Sequence, residues 1–197
     1  MSIHLQTNSI DTPIGRLRFY PKWTGGEINA TLLLQSVVGH CPEYLPPGME
    51  VTECIAVWLQ FSVISDVSEF AFCCDAELLN VPGGACSGEE LDAWEWIREN
   101  HIVIVGTEAG ECLNPRLQLP LSMADDYPIT LVENNMQIQL KNLSAGQSYA
   151  LHFMDAWNTF PEPHDCSCWY AVNVSHEACN ELLANARLNT NMKTAPL

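Results

Sequence analysis

The chain has 197 residues, with 8 Lys and Arg against 24 Asp and Glu, a formal net charge of −16 and an apolar share of 47 %. That length and apolar share suit one well-packed domain, or at most two small ones, and exclude global disorder. A chain so poor in cations is a poor host for nucleic acid or an anionic membrane, and its field draws cationic partners inward.

In chain order, residues 16–20 alternate, with Leu17 and Phe19 on one face and Arg16, Arg18 and Tyr20 on the other, as a half-buried strand does. Thr24-Gly25-Gly26 is a turn into a second strand at 27–38, which predicts a hairpin. Residues 40–48, with three prolines and a glycine, form a loop. Residues 51–64 carry Ile55, Val57, Leu59, Phe61 and Val63 in period two, and 69–74 are expected as their hairpin partner. Ser87-Gly88-Glu89-Glu90 reads as a cap followed by acids, predicting a helix over about 88–100.

Further along, residues 101–106 form a short buried strand, and 129–132, 137–140 and 149–154 form a meander. Residues 169–174 are a last strand, and Ser175 caps a helix over about 175–188. Strands outnumber helices without alternating with them. The expected class is therefore α+β, a mainly antiparallel sheet with helices at about 88–100 and 175–188 packed against it. Residues 1–188 are expected as a single globular domain and 189–197 as a flexible tail.

The longest apolar stretch, 54–64, is interrupted by Gln60 and falls short of the roughly 20 residues of a membrane span. The first eight residues have neither the basic nor the apolar region of a signal peptide. Nine cysteines are then expected to be reduced, mostly buried and cytoplasmic.

Residues 23–97 contain no Lys or Arg but twelve Asp or Glu. If every base in the chain pairs once, sixteen acids still lack a basic partner. On a helix at 88–100, Leu91, Trp94 and Ile97 share the packing face, and Trp96 falls among Glu89, Asp92, Glu95 and Glu99 on the other. An indole among carboxylates is an anchor for a basic protein partner. Trp96, Glu89, Asp92, Glu95 and Glu99 are thus the candidate partner-binding residues.

This profile matches immunity proteins, antitoxins and phage proteins that disarm host defence, in composition and not in motif. The expected function is non-enzymatic neutralisation of a basic protein. No nucleic-acid, membrane or cofactor partner is expected.

The alternative is a metal- or thiol-dependent enzyme on a neutral or cationic small molecule. It would use His164, Cys166 and Cys168 followed by His176 and Cys179, a set that can also supply a structural zinc with nitrogen and sulfur ligands. Phosphate-binding glycine loops, the nucleophile elbow and the H-E-x-x-H zinc motif are all absent from the sequence. The cluster Arg16, Arg18 and Lys22, interleaved with aromatics, is expected to pair within the chain rather than bind single-stranded nucleic acid.

Overall fold

The computed structural model describes residues 3–4, 8–41, 45–78, 81–88, 90–118, 127–132, 134–159 and 167–193. Among these, two six-stranded antiparallel sheets account for most of the structure. The first contains β1 (Ile3–His4), β2 (Asn8–Thr12), β3 (Gly15–Thr24), β6 (Val67–Leu78), β10 (Ile129–Val132) and β11 (Asn135–Leu143). Its order is β1-β3-β6-β11-β10, with β2 also paired to β3. The second contains β4 (Glu27–Ser36), β5 (Glu53–Ser65), β7 (Gly83–Ala85), β8 (Leu91–Arg98), β9 (His101–Glu108) and β12 (Ser148–Asn158), in the order β4-β5-β12-β9-β8-β7. Three helices complete the described residues: α1 (Gly110–Arg116), α2 (Ser167–Val172) and α3 (His176–Lys193). The class is α+β only in the broad sense, because the antiparallel sheets dominate.

Burial dictates two cores. Between the sheets, Leu17, Phe19, Phe70 and Phe72 meet Leu59, Phe61, Leu151 and Phe153. The Phe61 and Phe70 rings stack at 4.2 Å between centroids. Each such side chain contributes about 1.5–3 kcal/mol by leaving water. On its other side the second sheet carries Cys54, Ala56, Ile104, Met154 and Ala156, covered by Cys168, Val172, Cys179 and Leu182 of α2 and α3. A sheet buried on both faces needs apolar residues at consecutive positions, which is why Cys54-Ile55-Ala56-Val57 reads as an unbroken run.

The first two expected hairpins are corners instead. β3 pairs with β6, and β4 pairs with β5, so the chain changes sheet at Gly25-Gly26 and again at Asp66. Gly25 and Gly26 adopt φ of 72° and 47°, and a Cβ on Gly26 would lie 2.3 Å from the Ser65 carbonyl oxygen. Positive φ at both positions also suits a two-residue hairpin. The corner prevails because Leu17 and Phe19 are buried only if β3 faces β5 across a common core.

The meander is likewise split. β10 and β11 form the expected hairpin, but β12 crosses to the second sheet. Asp66 accepts the Ala145 N–H at 2.8 Å, tying the second corner to the third.

The expected helix at 88–100 is a strand, β8, hydrogen-bonded to β9 through a turn where Glu99 has φ 56°. Leu91 and Ala93 serve the helix-side core while Trp94 and Trp96 serve the inter-sheet core. Apolar residues on both faces of a strand resemble a helical stripe when only one face is sought. Ser87 caps nothing: its Oγ donates to Asp92 at 3.3 Å and accepts the Ala93 N–H at 3.4 Å.

Residues 169–174, expected as a strand, lie mostly in α2, where Cys168, Ala171 and Val172 are buried at helical spacing. The C-terminal helix is present as α3 and runs to Lys193, past the expected end at 188. None of the described helices is long and apolar enough to cross a membrane.

Candidate functional site

Glu108 closes β9, and His152 lies on the neighbouring strand β12. They extend the register that pairs Gly106 with Met154, so both side chains point to the helix-covered face. His176 opens α3, whose start is fixed by Ser175: its Oγ accepts the Ala178 N–H at 3.2 Å and its carbonyl accepts the Cys179 N–H at 2.9 Å. The three side chains converge, with ligand-capable atoms within 4.8 Å of one another.

The two imidazoles face each other nitrogen to nitrogen, Nδ1 to Nδ1, at 3.2 Å. His176 Nδ1 lies 4.0 Å from Glu108 Oε1. Arg116 on α1 grips Glu108 with Nε at 2.9 and 3.0 Å from its two oxygens and with a further bond from Nη2, while Nη1 donates to the Ala150 carbonyl at 3.0 Å. Trp58 stacks on His176 at 4.5 Å and leans over His152 at 6.4 Å.

Burial, then the charges of His176 and Arg116, push His152 down to about 3. Burial and Arg116 push His176 down to about 4. At neutral pH both rings are uncharged and keep a lone pair for a ligand. Above them opens a cleft of about 280 Å³ lined by Glu90, Glu108, Cys112, Arg116, His176 and Glu177, among others.

A second buried acid lies on the opposite face of β12. Asp155 is 0 % exposed, and neither carboxyl oxygen has a hydrogen-bond partner. Burial, then the charge of Glu53, pushes its pKa well above the usual carboxylate range. The folded protein therefore holds a proton there that the unfolded chain releases above about pH 4. The resulting stability is fully present below the unfolded value and declines as pH rises towards the folded one. Denaturation of wild type and Asp155→Asn across pH 5 to 8 is expected to show the variant gaining on wild type as pH rises. Parallel curves would refute it.

Of the expected partner-binding residues, Trp96 is only 2 % exposed and faces the inter-sheet core, its Nε1 donating to Asn134 Oδ1 at 3.2 Å. The expectation that it stands wet among carboxylates is corrected by the strand alternation of β8. Asp92 is also buried, accepting the Tyr127 hydroxyl at 2.7 Å and the Gly110 N–H at 3.2 Å at the start of α1. Glu95 is half-buried, and burial raises its pKa. Glu99 is exposed at the hairpin turn. Glu89 lies outside the described residues. The exposed apolar side chain of this segment is Ile97, at 54 %.

Of the expected metal candidates, His164 and Cys166 lie outside the described residues. Cys168 and Cys179 are fully buried in the helix-side core. Cys179 sits 3.6 Å from the Met154 sulfur, and burial pushes its thiol up to about 12. Of the three described, His176 joins the histidine cluster. Glu108, His152 and Arg116 carried no motif. The available signal was a lone His between Leu151 and Phe153, in the otherwise apolar run from Tyr149 to Met154. The intramolecular pairing expected for the basic cluster is present, with Arg18 2.9 Å from Glu77 and 4.0 Å from Asp75.

Fold and site together define a two-layer antiparallel β-sandwich with helices over one sheet and a histidine–carboxylate cluster beneath them. No protein-family model matches the chain, and no curated protein matches it. A solved structure described as "Putative kojibiose phosphorylase from human microbiome" is similar at 8 % identity and a TM-score of 0.38, over 91 % of this chain and 21 % of that one. The chain thus spans about a fifth of that structure's length, and so distant a likeness carries no argument.

Proposed function

We propose that the chain is an acidic binding protein that docks and neutralises a cationic protein partner. The observation that carries this reading is how its bases are placed. Arg16 pairs with Asp11 and Arg18 with Glu77 on the surface, and Arg116 pairs with Glu108 in the interior. Three of the eight Lys and Arg are thus paired with the chain's own acids, and the excess of carboxylates sets the field.

The docking surface in this reading is the β8–β9 hairpin tip. There Ile97 is exposed, with Glu95 on the same strand face and Glu99 at the turn. Arg98, as the neighbouring strand residue, points to the other side. An exposed aliphatic anchor beside acids suits a partner that offers an apolar pocket rimmed by Lys or Arg.

Purification from the native source at low salt is expected to bring down a stoichiometric basic protein. Raising the salt to about 1 M, where the screening length shrinks to roughly 3 Å, is expected to release it. Ile97→Asp and Glu99→Lys are each expected to weaken capture without loss of fold. The reading fails if no basic partner is retained at low salt, or if capture is indifferent both to salt and to these substitutions.

A further inference from the structure

We infer that Glu108, His152 and His176 form a binding site for one divalent transition-metal ion, with zinc the best match to two imidazoles and a carboxylate. In a tetrahedral site with metal–nitrogen bonds of roughly 2.0–2.1 Å, two ligating nitrogens stand about 3.3 Å apart. The two Nδ1 atoms stand 3.2 Å apart. Glu108 Oε1 supplies the third corner, 4.0 Å from His176 Nδ1 and within the 4.8 Å spread of the three ligand atoms.

The arrangement is poorly satisfied without an ion. Two neutral imidazoles meeting nitrogen to nitrogen share at most one hydrogen bond, and an ion at Nδ1 fixes the His152 proton on Nε2, which is buried beside the Val174 backbone. A metal ion replaces that single bond with two coordinate bonds. Trp58 stacks against both rings and restricts their planes, which lowers the cost of ordering them on an ion.

Arg116 is the objection, since a divalent ion adds two positive charges beside its guanidinium. Glu90 and Glu177 line the same cleft and, with Glu108, set three carboxylates against three positive charges. Glu108 and His176 both line that cleft, which gives the ion a way in and leaves its fourth position to water or a small ligand.

The test takes the full chain, stripped with a chelator and checked by circular dichroism, and titrates it with Zn²⁺ and in parallel with Co²⁺. One zinc per chain is expected. The cobalt form is expected to show the visible bands of a nitrogen- and oxygen-ligated ion without thiolate charge transfer. His176→Ala is expected to weaken zinc at least about 100-fold, and Glu108→Gln roughly 10- to 100-fold. Absence of zinc uptake, thiolate charge transfer that assigns the ion to cysteines, or undiminished affinity in folded His176→Ala overturns the site. Should that variant lose its fold, the wild-type cobalt spectrum decides alone.

Discussion

Trp96→Ala is expected to destabilise the protein by about 3–5 kcal/mol, the range for truncating a buried aromatic. The indole is 2 % exposed and belongs to the inter-sheet core. Its Nε1 bond to Asn134 joins β8, near an edge of the second sheet, to the turn between β10 and β11 in the first. The site has little freedom to collapse, because Gly83 on β7 is already pressed against the ring. A Cβ on Gly83 would lie 2.7 Å from the Trp96 Nε1 and 1.9 Å from that of Trp94. The cavity left by alanine therefore stays largely open, which sets the cost towards the upper end. Urea denaturation is expected to show a lower midpoint with an unchanged slope, and thermal unfolding a drop of roughly 10 °C. A variant as stable as wild type would place Trp96 on the surface and contradict the strand assignment.

The same residue explains what the sequence reveals and what it hides. Local alternation was enough for β3, where Leu17 and Phe19 point in and Arg16, Arg18 and Tyr20 point out, because the outer face of that sheet is open. It failed at β8, because the second sheet is buried on both sides. Leu91 and Ala93 are needed by one core, Trp94 and Trp96 by the other, so the segment has no polar face to mark its period. Residues 169–174 failed for the converse reason: a six-residue helix is too short to display a full stripe.

Strand pairing was hidden more deeply. Gly25-Gly26 has the chemistry of a hairpin turn and the geometry of a corner, and the choice lies in Phe19, Phe61 and Phe153, which share one core although far apart in sequence. The histidine cluster was illegible for a related reason. Glu108, His152 and His176 belong to β9, β12 and α3, and only the β9–β12 register and the cap at Ser175 bring them together. Spacing pointed instead to His164, Cys166 and Cys168 as partners of His176, since proximity in sequence was the only available measure of proximity in space.

The largest polar contribution to the cluster is the Glu108–Arg116 pair. Arg116→Met is expected to cost about 3–5 kcal/mol, because it leaves a buried carboxylate uncompensated. Glu108 is 5 % exposed, and the Arg116 side chain is 19 % exposed. The guanidinium binds both carboxylate oxygens, and its remaining nitrogen caps the Ala150 carbonyl. Methionine fills a similar volume, so the loss reports charge and hydrogen bonds more than packing.

Arg116→Lys keeps the charge but cannot reproduce the planar fork, and is expected to recover only part of the stability. Adding Glu108→Gln to Arg116→Met removes the orphaned charge and is expected to restore roughly 1–3 kcal/mol. A double-mutant cycle by chemical denaturation, run with chelator so that no bound metal contributes, measures the coupling directly. Coupling below about 0.5 kcal/mol, the ordinary scatter for independent sites, would mean that the two groups do not hold each other in place. A large value makes Arg116 the residue that keeps Glu108 aimed at the histidines. In that case the stability of the fold and the ligand chemistry of the cleft rest on the same ion pair.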